Sequence, residues 1–179
     1  MTLSGVCKFY LIRSWKMIFN ASEIFEIAIN IEKNGQIFYK KAAAITKDPI
    51  VKKLLTSLAA MEVSHEEYFI KLKNEFSVKY ESTMPDIDEQ LSLYLKSYAD
   101  GKVFSHSTTP ESLVSEDSTL HEIFETAIDF ERKTVVFFTL VKELLPPSLD
   151  QDKINILIKE ELSHVAMLDN QYQSYMNNN

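Results

Sequence analysis

The sequence predicts an all-α fold: an antiparallel four-helix bundle of two helical hairpins joined by a long crossover. Three observations predict it. The 179 residues include only 3 Gly and 5 Pro, too few for a turn-rich all-β chain. Four long stretches carry apolar residues at alternating steps of three and four, the spacing that puts them on one helix face. Finally, the chain repeats itself at one fixed offset.

The elements follow in order. Residues 1–16 are expected to be an N-terminal extension, read from an alternative start codon, that carries no fold information. Their apolar run is broken by Lys8, Arg13 and Lys16, so it is not a membrane span. They also lack the basic, apolar, small-residue order of a secretory signal. The bundle domain is placed at 17–179. Its helices are expected at about 22–45, 49–75, 119–144 and 149–175. The short turns "TKDP" and "LPPS" make each sequential pair antiparallel neighbours. The crossover, about 76–118, is long enough to return along a bundle roughly 30 Å in length. Within it, "DEQLSLYLKSYA" reads as a short helix. In "TPESLV", Thr109 can cap a helix that has Pro110 at its first position. The final "NNN" is expected to fray.

Composition narrows the function. A net charge of −7 and a pI near 5.1 argue against nucleic acid as a partner. The single cysteine, Cys7, excludes an internal disulfide and any four-cysteine metal site. It also permits a reducing compartment, and a cytoplasmic location is expected.

The repeat is the strongest signal. "EIFEIAINIEKN" from Glu23 returns as "EIFETAIDFERK" from Glu122, 99 positions later. The same shift carries Glu62, Ser64 and His65 onto Glu161, Ser163 and His164, with no gap across two helices of each half. Following each seam toward the bundle interior gives Phe25, Ala28, Glu32, Gly35, Tyr39, Ala42 on the first helix. The second gives Leu55, Leu58, Glu62, His65, Phe69, Leu72. The third gives Phe124, Ala127, Glu131, Thr134, Phe138, Val141, and the fourth Ile154, Leu157, Glu161, His164, Leu168. Each seam is apolar or small except at its middle.

A single helical Glu usually faces solvent, and a single buried His is usually a hydrogen-bonded core residue. Six such residues at one depth, repeated by one offset, are not explained in that way. Four clustered carboxylates without cationic partners are strongly unfavourable, and no Lys or Arg lies on these seams. Two divalent cations would neutralise them, and carboxylates with one imidazole per ion suit iron or manganese. One Glu from each of two helices, with Glu-x-x-His from each of the other two, is the ligand pattern of di-iron and di-manganese bundles. The candidate ligands are therefore Glu32, Glu62, His65, Glu131, Glu161 and His164.

The other residues carry less. Tyr39 could hydrogen-bond a ligand carboxylate or act in redox chemistry, or be a core aromatic. Its repeat partner is Phe138, so the halves are not chemically equal. Gly35 and Thr134 either leave room beside the ligands or serve plain helix packing. Glu66 and Tyr68 are placed on a solvated face, and Glu160 is expected to be exposed beside a ligand, with an outer supporting role open to it. His106 and His121 are expected at the surface.

These motifs resemble the rubrerythrin-like proteins of the ferritin-like superfamily. The likeness lies in Ala28, Glu32, Gly35, Phe38 and Tyr39 of the first helix, and in "MEVSHEEYF" and "EELSHVAML". It covers about residues 20–175 apart from the crossover. It implies a ferritin-like bundle holding two iron ions, with manganese as an alternative. Glu62 and Glu161 would bridge, Glu32 and Glu131 would be terminal, and one His would serve each ion. It further implies reduction of peroxide or dioxygen with an external electron donor such as a separate rubredoxin-like protein, and a homodimer. Two departures stand out. The chain has no rubredoxin domain, and Thr134 stands where rubrerythrins typically place an additional Glu. The resulting six-ligand set resembles the ferroxidase centre of bacterioferritin. Iron storage or ferroxidase function, and a non-enzymatic partner-binding bundle, are the alternatives.

Overall fold

The structure, a computed structural model, describes residues 21–79, 94, 95, 97, 109–144 and 151–177. Outside these lie the 1–16 extension, His106, the "LPPS" turn and most of the crossover. Of the expected crossover helix only Tyr94, Leu95 and Ser97 are described; all are helical, and Leu95 is buried.

Four long helices make the bundle: α1 (Ala21–Ile45), α2 (Pro49–Lys79), α3 (Leu120–Leu144) and α4 (Gln151–Asn177). The backbones approach most closely within the pairs α1–α2 and α3–α4, and less closely across α1–α3 and α2–α4. This is an all-α arrangement of two hairpins. No helix among the described residues is long and apolar enough to cross a membrane.

Local chemistry sets the helix starts. Asp48 caps α2: its Oδ1 accepts hydrogen bonds from the amides of Ile50 at 2.8 Å and Val51 at 3.0 Å. Pro49 takes the first helical position, where its missing N–H costs nothing. Before α3, Thr119 and Glu122 form a reciprocal cap. The Thr119 amide donates to Glu122 Oε2 at 2.8 Å, and the Glu122 amide donates to Thr119 Oγ1 at 3.2 Å. These bonds hold the Glu122 carboxyl below its usual range.

The expected start at "TPESLV" is a single 3-10 turn, Pro110–Leu113, packed on α1. Thr109 does not cap it with its side chain. Its carbonyl instead accepts from the amide and hydroxyl of Ser112, both at 2.8 Å. In a 3-10 turn the amide three residues on bonds the carbonyl of the first residue, so the Ser112 amide that a Thr109 side-chain cap would take is already bonded.

The core is aromatic on the far side of the polar layer. Phe69 and Phe138 pack at 4.6 Å between ring centroids, Phe137 lies beside Phe138, and Phe25 is buried toward the same end, where Lys73 meets Glu26. Toward the other end, Phe38, Tyr39, Leu55, Leu58 and Phe124 are buried, and Phe124 stacks on Tyr172. The six polar seam residues lie between these layers, so packing on both sides fixes their depth.

Candidate metal centre

The middle of the four seams is a closed polar cluster. Glu32 comes from α1, Glu62 and His65 from α2, Glu131 from α3, and Glu161 and His164 from α4. The four glutamates are 0 % exposed, His65 3 % and His164 1 %. Residues three apart share a helix face, so each Glu-x-x-His pair aims inward together.

The cluster divides into two overlapping groups. Glu32, Glu62, His65 and Glu161 offer ligand atoms all within 4.8 Å of one another, and so do Glu62, Glu131, Glu161 and His164. Glu62 and Glu161 belong to both. Each histidine turns Nδ1 inward: His65 Nδ1 lies 2.7 Å from Glu161, 3.7 Å from Glu32 and 3.9 Å from Glu62. His164 Nδ1 lies 3.2 Å from Glu161, 3.5 Å from Glu62 and 3.6 Å from Glu131. The two imidazoles stack at 5.4 Å with 14° between their planes.

Buried polar groups are normally paired. Here both oxygens of Glu32, Glu62 and Glu161, and Oε2 of Glu131, lack a directed hydrogen bond, as do both Nδ1 atoms. Lone pairs from four helices converge on one another instead of on donors. That is the signature of a donor set shaped for cations, and oxygen with imidazole suits iron or manganese.

Protons can fill the same role. Burial, then the neighbouring Glu62 charge, pushes Glu32 well above the carboxylate range, and Glu131 is raised in the same way. Burial works against a charged His164, but its contacts with Glu131, Glu161 and Glu62 outweigh this and raise it to about 12. His65 is raised too, its burial likewise overcome by Glu161. Burial would raise Glu161, yet the two histidines bring it down to about 2. Protons held on Glu32 and Glu131 and on both imidazoles thus offset the negative charge of the cluster. Two divalent cations would give the same balance.

Around the cluster, the repeat is broken at four places. Tyr39 donates its hydroxyl proton to Glu131 Oε1, and burial, then the Glu131 charge, raises the phenol well above its usual range. Its counterpart Phe138 has no hydroxyl. Gln36, opposite Val135 in the repeat, donates to Glu66 Oε2 at 2.6 Å and to the Glu62 carbonyl at 3.4 Å. Glu66, opposite Val165, also meets Lys33 at 3.5 Å. Glu160, opposite Met61, lies 3.0 Å from His65 Nε2 while remaining half exposed.

Two expectations need correction. Glu66 is not on a solvated face: only 18 % of its side chain is exposed, because the buried Gln36 amide draws it inward. Tyr68 is half-buried and packs against the core. His121 is exposed as expected and contacts Tyr172 and Glu125. Sequence reasoning missed Gln36 altogether, and the signal was a polar residue where the other half carries Val135.

Thr134 turns its hydroxyl back to the Phe130 carbonyl at 3.1 Å. Gly35 is required by close packing: a Cβ there would meet the Phe130 ring at 2.9 Å and Glu62 Cδ at 3.3 Å. A cavity of about 250 Å³, lined by Met61, Ser64, Glu160, Ser163 and Met167, reaches the outer edges of the two histidines.

Known proteins show the same frame. A family model described as Rubrerythrin matches residues 23–172. Among solved structures, a candidate ferritin-like diiron-carboxylate protein from Thermotoga maritima shares the fold. It has a TM-score of 0.62 and 21 % identity, over 87 % of this chain and 95 % of that one. A comparison with curated proteins finds no match. The family match spans most of the sequence and includes every residue of the buried cluster, and the chain belongs to the rubrerythrin family.

Proposed function

We propose that this chain is a di-iron oxidoreductase that reduces peroxide or dioxygen with electrons from an external donor. The observation that carries the reading is the overlap of two four-residue groups in Glu62 and Glu161. An overlap of that kind suits two cations held side by side by shared carboxylates. Iron is the metal the family suggests, and manganese fits the same donors.

In this reading Glu62 and Glu161 would serve both ions, Glu32 and Glu131 would each serve one, and His65 and His164 would each offer Nδ1 to one. When bound, the metal pair supplies Lewis acidity and two electrons. The chain supplies the rest. Apolar layers above and below the cluster exclude water. Tyr39 holds a proton beside Glu131, ready for an oxygen atom that gains negative charge. The donor is a separate redox protein of rubredoxin type, and the protein works as a cytoplasmic homodimer.

A ferroxidase reading is the second choice. Thr134 favours it, since its hydroxyl is committed to the Phe130 carbonyl and supplies no fifth carboxylate. Light scattering separates the two, because a mineral store needs a many-subunit shell. The main test is stopped-flow mixing of the anaerobic ferrous-loaded protein with peroxide. Oxidation faster than a free-iron control, and lost in Glu62→Ala, is expected. A rate equal to free iron would sink the proposal.

A further inference from the structure

The repeat allows the two halves of the centre to be compared residue by residue, and two hydrogen bonds break the symmetry. In the first half, His65 directs Nδ1 into the cluster, and its Nε2 lies 3.0 Å from Glu160 Oε2. Ligation through Nδ1 fixes the ring proton on Nε2. That proton then meets a carboxylate, which strengthens the imidazole as a donor and holds its plane. In the second half, Met61 stands at the repeat position of Glu160. His164 Nε2 is buried without a hydrogen-bond partner among the described residues. A thioether is only a weak acceptor.

The terminal carboxylates differ in the same direction. Tyr39 donates to Glu131 Oε1 and so draws electron density from the second half. The repeat position, Phe138, has no hydroxyl, and neither oxygen of Glu32 receives a directed hydrogen bond. One half thus has a strengthened imidazole and an unengaged carboxylate. The other has an unsupported imidazole and a carboxylate already in use.

We propose that Glu160 is a positioning residue that, acting through His65, makes the Glu32–His65 half the tighter metal position, so that the centre fills in order. The inference rests on the reading of the six residues as a two-metal site.

The test is anaerobic titration of the metal-free protein with Co²⁺, followed by visible absorption and calorimetry. Two resolved steps are expected in the natural protein. Glu160→Met should weaken the tighter step by about 10- to 100-fold and leave the weaker one nearly unchanged. Glu160→Gln keeps an acceptor oxygen without the charge and should restore part of the loss. Met61→Glu gives His164 the missing acceptor and should tighten the weaker step. This variant carries the test if Glu160→Met does not fold. Proton NMR of the Co²⁺ form gives a readout that general destabilisation would not mimic. The His65 Nε2–H resonance should be protected from solvent exchange, and unprotected in Glu160→Met. Two equal steps in the natural protein, or equal weakening of both in Glu160→Met, overturns the ordering. An unchanged tighter step in Glu160→Met does so too. Binding of fewer than two ions in the natural protein overturns the metal reading itself.

Discussion

Glu62 and Glu161 share both histidines. A Glu62 oxygen lies 3.9 Å from His65 Nδ1 and another 3.5 Å from His164 Nδ1, and Glu161 reaches the same nitrogens at 2.7 and 3.2 Å. Losing either carboxylate removes a ligand from both positions. Glu62→Ala and Glu161→Ala should therefore abolish binding of both ions. Glu32→Ala and Glu131→Ala should each cost one. Metal analysis after dialysis against dilute iron or manganese checks this. Retention of one ion in Glu62→Ala would show that the carboxylate is not shared.

Tyr39→Phe removes the only hydroxyl that reaches the cluster among the described hydrogen bonds. Glu131, itself fully buried, would lose a donor. The metal-free protein should be destabilised by about 1–3 kcal/mol, the usual cost of leaving a buried acceptor unpaired. Urea unfolding of the metal-free chain measures it, and a change near zero would mean that the bond carries no weight.

Gly35→Ala sets two effects against each other. Within a helix, Ala normally gains about 0.5–1 kcal/mol over Gly. Here the new methyl would press on the Phe130 ring at 2.9 Å and on Glu62 Cδ at 3.3 Å. Overpacking costs about 1–3 kcal/mol, so the net change should be destabilising. Metal affinity should fall with it, because Glu62 would be displaced. A more stable Gly35→Ala protein with full metal content would show that Phe130 yields freely.

The metal-free and metal-loaded proteins should respond to pH differently. Burial and neighbouring carboxylates hold protons on Glu32 and Glu131 far above their ordinary range. The surrounding carboxylates, against the pull of burial, do the same for His65 and for His164, the latter to about 12. In the unfolded chain these groups release protons at their ordinary values, about 4.3 for Glu and about 6.5 for His. The folded metal-free state therefore binds more protons and loses stability as pH rises above those values. Glu161, held at about 2, works the other way and lowers stability only in acid. Bound metals displace the protons. The gain in Tm on loading with Mn²⁺ should grow between about pH 6 and about pH 9. Glu32→Gln, which cannot ionise, should flatten the decline of the metal-free protein. A gain that shrinks with rising pH would contradict the assignment.

The legible part of this protein was what the repeat made redundant. Glu32, Glu62, His65 and their counterparts at 131, 161 and 164 stood out because each broke an apolar seam at the same depth. The four-helix arrangement followed from the same seams. The less legible part lay where the halves differ. Glu66 read as a solvated-face residue, and Gln36 drew no reading at all, because helical periodicity locates a face but not a partner on another helix. Their bond joins α1 to α2, and only the folded hairpin shows it. Glu160 looked exposed, and half of it is. Its other half depends on the distance between α2 and α4, which spacing along one helix does not encode. Thr109 was expected to cap with its hydroxyl, but its own carbonyl already takes the Ser112 amide.

The two hairpins meet sparingly through their backbones, while each lends one carboxylate to the other's metal position: Glu161 to the Glu32–His65 group and Glu62 to the Glu131–His164 group. With metals bound, the centre would thus rivet the hairpins together. Pulling α1–α2 away from α3–α4 would strip both ions of a ligand at once, so the joint resists shear and yields abruptly. On the proposed reading, an event that freed a shared carboxylate from the metals would also loosen the seam between the hairpins.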